Sequence, residues 1–127
     1  MFRWFSRLRT DPMENRLRRI FYFLLNDYGF HFDKSDLGNA VNKDGEFVFY
    51  GPLLAYCLYN DNICFNILLL VQRQDCEIYI TESHKNDQIY IRNGTRVSDV
   101  LAYDLDRFAA EVKNAIINGV EFCGWRI

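Results

Sequence analysis

The chain has 127 residues, of which 50% are apolar and 25% charged, and its formal net charge is −2. This length and composition predict a single domain over residues 1–127 with one apolar core. No apolar run approaches the roughly 18 residues that a membrane-spanning helix needs. Arginines also interrupt the apolar residues of the first ten positions, which argues against a secretory signal. We therefore expect a cytoplasmic protein without integral membrane association.

Charge is unevenly distributed along the chain. Residues 1–19 carry six arginines and two carboxylates, a net charge of +4, whereas residues 20–127 carry nine basic and fifteen acidic side chains, a net charge of −6. The acidic part should repel nucleic-acid phosphates and attract a basic protein. Residues 1–10 form a basic, aromatic segment, which we expect to pack on its own domain rather than lie on a membrane surface.

The first predicted element is a helix over residues 12–28. Asp11 and Pro12 supply the capping oxygen and the fixed φ angle that favour a helix start, and Gly29 suits the helix end. Apolar side chains recur at three- and four-residue steps and form one stripe. The stripe consists of Leu17, Ile20, Phe21, Leu24, Leu25 and Tyr28.

Residues 30–92 are predicted to form mainly an antiparallel sheet of four to six strands. Within it, residues 62–72, 77–81 and 88–92 form three short runs that can fold back on one another. Turns at 74–75 and 84–85 set Ile78 opposite both Val71 and Ile91, on a face that must be the core.

The same register gives the sheet a second, polar face, with Glu77 opposite Arg92 and Tyr79 opposite Tyr90. Tyrosine and arginine are over-represented among residues that contribute most to protein binding. An ordinary exposed strand face is the alternative, because tyrosine and threonine also favour strands. The predicted partner-binding residues are Glu77, Tyr79, Glu82, Asp87, Tyr90 and Arg92.

A second helix is predicted over residues 104–118, because Asp104 and Asp106 suit its start and Asn118-Gly119 its end. Residues 120–127 contain Phe122 and Trp125 and should dock on the domain. The predicted fold class is α+β: an N-terminal helix, an antiparallel meander, and a C-terminal helix packed on the sheet.

The sequence predicts no catalytic, cofactor or metal site. The cysteines have no C-x-x-C pair and lack zinc-site spacing, so they are interpreted as buried thiols. They are Cys57, Cys64, Cys76 and Cys123. His31 is expected as a solvated strand residue and His84 as an exposed turn residue. No glycine-rich phosphate loop occurs, and the acidic sheet residues disfavour nucleic-acid binding.

The order of the elements and two short strings of residues are similar to those of a known protein family. The strings are Leu-Leu-Asn-Asp-Tyr-Gly-Phe at 24–30 and Tyr-Asp-Leu-Asp-Arg-Phe at 103–108. In layout the chain resembles small bacterial immunity proteins of contact-dependent growth inhibition systems. The resemblance implies a cytoplasmic, non-enzymatic protein that binds the toxic domain of a cognate effector, often a nuclease. It would then block the toxin's active site or substrate approach. No residue role transfers, and the oligomeric state stays open.

A competing hypothesis is a small enzyme or ligand-binding module with a pocket between helices and sheet, since α+β domains often contain one. Its reactive groups would be Cys57, Cys64 or His31.

Overall fold

The computed structural model describes residues 11–127, apart from the side chain of Phe49. The helices are α1 (Pro12–Ile20), α2 (Tyr22–Asp27), α3 (Gln88–Arg92), α4 (Asp99–Tyr103) and α5 (Leu105–Asn118). The strands are β1 (His31–Val41), β2 (Phe47–Tyr59), β3 (Cys64–Leu70), β4 (Asp75–Thr81) and β5 (Thr95–Arg96), which form one antiparallel sheet in chain order. The predicted α+β class is confirmed. The predicted basic segment, residues 1–10, lies outside the described residues.

The N-terminal helical region begins where its capping residue predicts. The Asp11 carboxylate accepts hydrogen bonds from the backbone N–H groups of Met13 and Glu14 at 3.0 and 3.2 Å. The helix is interrupted at Phe21, whose φ of −105° and ψ of 18° leave the helical region, so the predicted helix over residues 12–28 is two helices. Gly29 has a φ of +69°, the left-handed conformation that glycine adopts at low cost.

The register between β3 and β4 differs from the predicted one. Ile78 pairs with Ile67, not with Val71, because the turn occupies residues 71–74 and is therefore centred two positions before the predicted turn at 74–75. The N–H of Gln74 donates to the carbonyl of Leu70 at 2.8 Å and closes this wider turn. Because the shift is even, Ile78 still lies on the predicted core face, where it is fully buried.

Residues 88–92 form helix α3, so the predicted third strand of the meander is wrong. The Asp87 carboxylate caps this helix by accepting from the N–H groups of Ile89 and Tyr90. The partner of β4 is instead β5, which sets Arg96 opposite Tyr79. A run of five residues is too short for its periodicity to separate helix from strand, so contacts elsewhere decide its conformation.

Both faces of the sheet are covered. Helices α1, α2, α4 and α5 cover one face and enclose the main core around Phe21, Phe65 and Phe108. A second core lies on the opposite face, where Ile91 of α3 packs near Leu68 and other strand residues. The predicted open polar face of the sheet is therefore wrong, because α3 occupies that face.

The C-terminal region packs on the main core. Helix α5 is capped by the Asp104 carboxylate, which accepts from the N–H of Arg107. Phe122 is buried against this core, and the indole N–H of Trp125 donates to Thr95 Oγ1 at 3.0 Å. Over residues 11–127, none of the helices combines the length and apolar character needed to cross a membrane.

Candidate functional site

Three of the six predicted partner-binding residues form a buried contact. Tyr79 is 6% exposed, and its hydroxyl donates to Glu77 Oε1 at 3.2 Å. Nη2 of Arg92 lies 3.5 Å from the same carboxylate oxygen, and the Arg92 side chain is 8% exposed. Glu77 and Arg92 therefore lie close together as predicted, but Arg92 lies on helix α3 and not on a strand paired with β4. These three residues hold α3 on β4 and offer little surface to a partner.

The other three predicted residues lie at the exposed side of α3. Glu82 and Tyr90 line a cavity of about 360 Å³, and Asp87 is the exposed capping residue of the helix. Ile89 lies between Asp87 and Tyr90 and is 39% exposed. We call Glu82, Asp87, Ile89 and Tyr90 the α3 rim. It retains half of the predicted surface and adds one apolar residue, Ile89.

The hairpin between β1 and β2 adjoins the α3 rim. A Cβ atom at Gly45 would lie 3.6 Å from Cδ1 of Ile89, so the hairpin turn is in contact range of the helix. Exposed Asp44 and Glu46 flank that glycine. The ammonium group of Lys85 lies 4.8 Å from the centre of the Tyr90 ring, so the α3 rim also has a basic neighbour.

A polar cluster lies within the second core, on the sheet face that α3 covers. Strand pairing sets Asp33, Cys57 and Asn66 side by side on β1, β2 and β3. The adjacent row on the same face contains Cys64, which pairs with Thr81. Side chains two residues apart on a strand share a face, so antiparallel pairing brings both thiols and the amide together.

Asn66 is the centre of this cluster and is fully buried. Its Oδ1 accepts from the thiol of Cys57 at 3.6 Å and from the thiol of Cys64 at 3.4 Å. Its Nδ2 donates to the carbonyls of Cys64 and Tyr79 and to Oγ1 of Thr81, at 3.1 to 3.3 Å. Those three acceptors fix the amide so that its oxygen faces both sulfur atoms.

His84 closes the cluster from the loop after β4. Its Nδ1 lies 3.7 Å from Sγ of Cys64, and its Nε2 lies 3.1 Å from Oδ2 of Asp33. The imidazole stacks on the Tyr59 ring, with centres 4.1 Å apart and planes 10° apart. The prediction of an exposed turn residue is wrong, because the loop folds back over the sheet and His84 finds its partners on β1, β2 and β3. His31 is exposed, as predicted.

The order Cys64, His84 and Asp33 places a thiol, an imidazole and a carboxylate in sequence, as covalent catalysis requires. The thiol itself is unsuited to that chemistry. The adjacent Cys57 thiol and desolvation by burial both raise the pKa of Cys64, and the residue is fully buried. A thiol that stays protonated is a weak nucleophile. The two thiols, the imidazole nitrogen and the amide oxygen are instead a donor set suited to a thiophilic metal ion.

A cavity does lie between α1 and the sheet, where the competing hypothesis expects a ligand. It measures about 470 Å³, and its polar lining residues are Asp11, Arg16, Tyr56 and Gln74. It opens on the main-core face, whereas Cys57 and Cys64 lie on the opposite face. The described residues therefore do not bring the proposed reactive thiols to this cavity.

Sequence spacing missed the polar cluster because its members come from four segments of the chain. One signal was present: the short hairpin loop at residues 60–63 sets Tyr59 opposite Cys64 and so makes Cys57 and Cys64 diagonal neighbours. The contribution of His84 could not be read from the local sequence, since Asp33 lies 51 residues away. Comparisons with protein-family models, curated proteins and solved structures found no match for this chain.

Proposed function

We propose that the chain is a non-enzymatic protein of the immunity type, which binds a toxic protein domain through the α3 rim. The single observation that supports this proposal is the exposed Ile89 on α3, flanked by Asp87 and by Tyr90. An apolar centre with a polar border is the usual composition of a protein interface. Tyrosine at such a border combines contact area with a hydrogen-bonding group.

Charge supports a basic partner. Residues 11–127 carry a net charge of −5, because Arg3, Arg7 and Arg9 account for +3 of the total of −2. Nuclease domains bind phosphates and therefore present basic surfaces, so an acidic protein would associate with them rapidly. The carboxylates of Glu82, Asp87 and the neighbouring hairpin would then occupy positions that substrate phosphates otherwise fill.

The area of the α3 rim alone is too small for a stable complex. A standard interface buries roughly 800 Å² on each partner, and a few central residues supply most of its binding energy. We expect Ile89 and Tyr90 at that centre, and the hairpin turn with Asp44 and Glu46 at its border. Binding there would block the toxin's active site or the approach of its substrate.

The proposal predicts that a toxic effector is encoded beside this chain's gene, and the test uses the toxin domain of that effector. A double variant, Ile89→Ala with Tyr90→Ala, should weaken binding at least about tenfold, or about 1.4 kcal/mol, in isothermal titration calorimetry. The matched control is Tyr22→Ala with Ile117→Ala, because both residues are exposed on helices that cover the opposite sheet face. A folded Ile89/Tyr90 variant with wild-type affinity would reject the α3 rim as the contact surface.

Reversing the charge of one residue distinguishes electrostatic attraction before contact from interactions in the bound complex. Glu82→Lys should lower the association rate constant more than it changes the dissociation rate constant, since border charges act mainly on diffusional encounter. The difference from wild type should shrink as salt rises, because ions screen exposed charges. Stopped-flow association at two salt concentrations measures both effects. An unchanged association rate at low salt would contradict the charge argument.

A further inference from the structure

The donor atoms of the polar cluster have the separations of a metal site. A tetrahedral zinc ion about 2.3 Å from sulfur and 2.0–2.2 Å from nitrogen or oxygen sets its sulfur and nitrogen or oxygen ligands about 3.6 Å apart. Sγ of Cys64 lies 3.7 Å from Nδ1 of His84 and 3.4 Å from Oδ1 of Asn66. Sγ of Cys57 lies 3.6 Å from the same oxygen, and the three cysteine and histidine atoms all lie within 4.8 Å of one another.

Contacts around the donors give His84 and Asn66 the orientation that a metal ligand needs. A carboxylate only accepts, so Nε2 of His84 donates to Asp33, which leaves Nδ1, the nitrogen that faces Cys64, as the one that would bind a metal ion. A carboxylate behind a histidine ligand is a common feature of zinc sites. The Tyr59 ring fixes the plane of the imidazole, and three acceptors fix the Asn66 amide.

We propose that Cys57, Cys64, His84 and Asn66 bind one zinc ion. Two thiolates balance the charge of Zn²⁺, so the ion and its four ligands would together carry no net charge, which suits their buried position. Two sulfur atoms and an imidazole nitrogen also favour zinc over magnesium or calcium, which prefer oxygen ligands. The ion would replace the two thiol protons that now point at Oδ1 of Asn66.

Zinc would attach the loop of residues 82–87 to the sheet. His84 lies in that loop, whereas the other three ligands lie on β2 and β3, so the ion would join segments that are distant in sequence. The loop leads directly into α3 and contains two residues of the α3 rim, Glu82 and Asp87. Zinc binding needs no partner protein and therefore stands or falls independently of the proposed function.

The test is a cobalt titration of the full-length protein, purified under reducing conditions and treated with a chelator. Co²⁺ should bind at one equivalent and give a thiolate-to-cobalt charge-transfer band with the intense visible bands of tetrahedral coordination. Zn²⁺ should displace it. Cys64→Ser and His84→Ala should each lose the tetrahedral spectrum. The double variant Cys76→Ser with Cys123→Ser is the matched control and should keep it.

A second measurement does not depend on whether the variants fold. Zinc-edge X-ray absorption of the zinc-loaded wild type should show two sulfur ligands at about 2.3 Å and two nitrogen or oxygen ligands at about 2.0–2.2 Å. The proposal is overturned if wild type gives no charge-transfer band, if the Cys76/Cys123 variant loses it, or if the zinc edge shows no sulfur ligand.

Discussion

Tyr79 and Tyr90 should differ sharply in what they contribute to stability, although the sequence pattern treats them as equivalent neighbours. Tyr79 is 6% exposed and packs in the second core, whereas Tyr90 is partly exposed and forms a hydrogen bond with Ser83 at 3.1 Å. Truncating a buried aromatic residue to alanine costs about 3–5 kcal/mol. Since the Tyr79 hydroxyl already reaches the polar Glu77, we expect Tyr79→Ala to cost about 3 kcal/mol. Tyr90→Ala should cost at most about 1 kcal/mol.

Denaturant unfolding followed by circular dichroism measures both free energies, and thermal unfolding gives a second reading. For a domain of this size, 1 kcal/mol lowers Tm by roughly 3–5 °C, so Tyr79→Ala should lower it by about 10–15 °C. Tyr79→Phe keeps the ring and removes only the hydrogen bond to Glu77, so it should cost about 1 kcal/mol or less. Equal losses for Tyr79→Ala and Tyr90→Ala would refute the assignment of Tyr79 to the second core.

Two further predictions concern the helix start and a tight turn. Burial raises the pKa of Asp11, but hydrogen bonds from Lys34, Tyr56 and the Glu14 N–H lower it more, so its pKa lies below the ordinary 3.8. The charged carboxylate therefore stabilises the fold above about pH 4, and this contribution is lost as pH falls through the folded-state pKa. The Asp11→Asn side chain can still cap the helix, so this variant should be less stable than wild type at neutral pH and about equally stable in acid. Urea unfolding at several pH values measures the two free energies of unfolding. A difference between them that does not change with pH would contradict this prediction. Gly94→Ala should cost about 2–3 kcal/mol in the same assay, because its Cβ would lie 2.5 Å from the Ile80 carbonyl oxygen. Gly38→Ala is the control, because Gly38 is left-handed and its added Cβ would meet no atom within 4 Å. This variant should lose only the roughly 1–2 kcal/mol that a left-handed alanine costs. Equal losses of stability in the Gly94 and Gly38 variants would argue against the clash at Gly94.

Much of the fold follows from local sequence signals. Asp11-Pro12 marks the helix start, because the capping carboxylate and the fixed φ of proline act within one turn. The alternation of Ile78 and Ile80 identifies the core face of β4 even though the predicted register was wrong, since an even shift preserves the face. These signals succeed because the interactions behind them span only a few residues or depend only on periodicity.

Helix α3 could not be predicted because its deciding contacts are long-range. The side chain of Gln88 accepts from the N–H of Val41 and donates to the carbonyls of Leu37 and Asn39 on β1. The register between β1 and β2 shifts on either side of Asn39, so these backbone groups lie where the pairing of β1 with β2 is irregular. No pattern within five residues indicates that a glutamine will satisfy them.

Part of the candidate site could be predicted from the sequence. Leu68 and Leu70 lie on the face of β3 opposite the main core, and apolar residues on both faces of a strand are typical of a sheet that is covered on both sides. The sequence pattern was interpreted as a sheet face that a protein partner covers. That interpretation was wrong, because helix α3 of the same chain covers this face. In the proposed function the exposed residues of α3 bind the partner, while Glu77, Tyr79 and Arg92 attach the helix to the sheet.

The shortness of α3 links the structural and functional interpretations. A helix of five residues is unstable alone, because so few hydrogen bonds do not offset the cost of nucleation. Here Gln88 holds it on β1, Arg92 lies against Glu77 of β4, and Ile91 is buried in the second core. Ile89 is exposed to solvent, and its backbone is held in place because residues before and after it, Gln88 and Ile91, are anchored. A binding residue held in this way loses little conformational entropy when a partner docks, so the interior contacts of α3 support whatever affinity its exposed side provides.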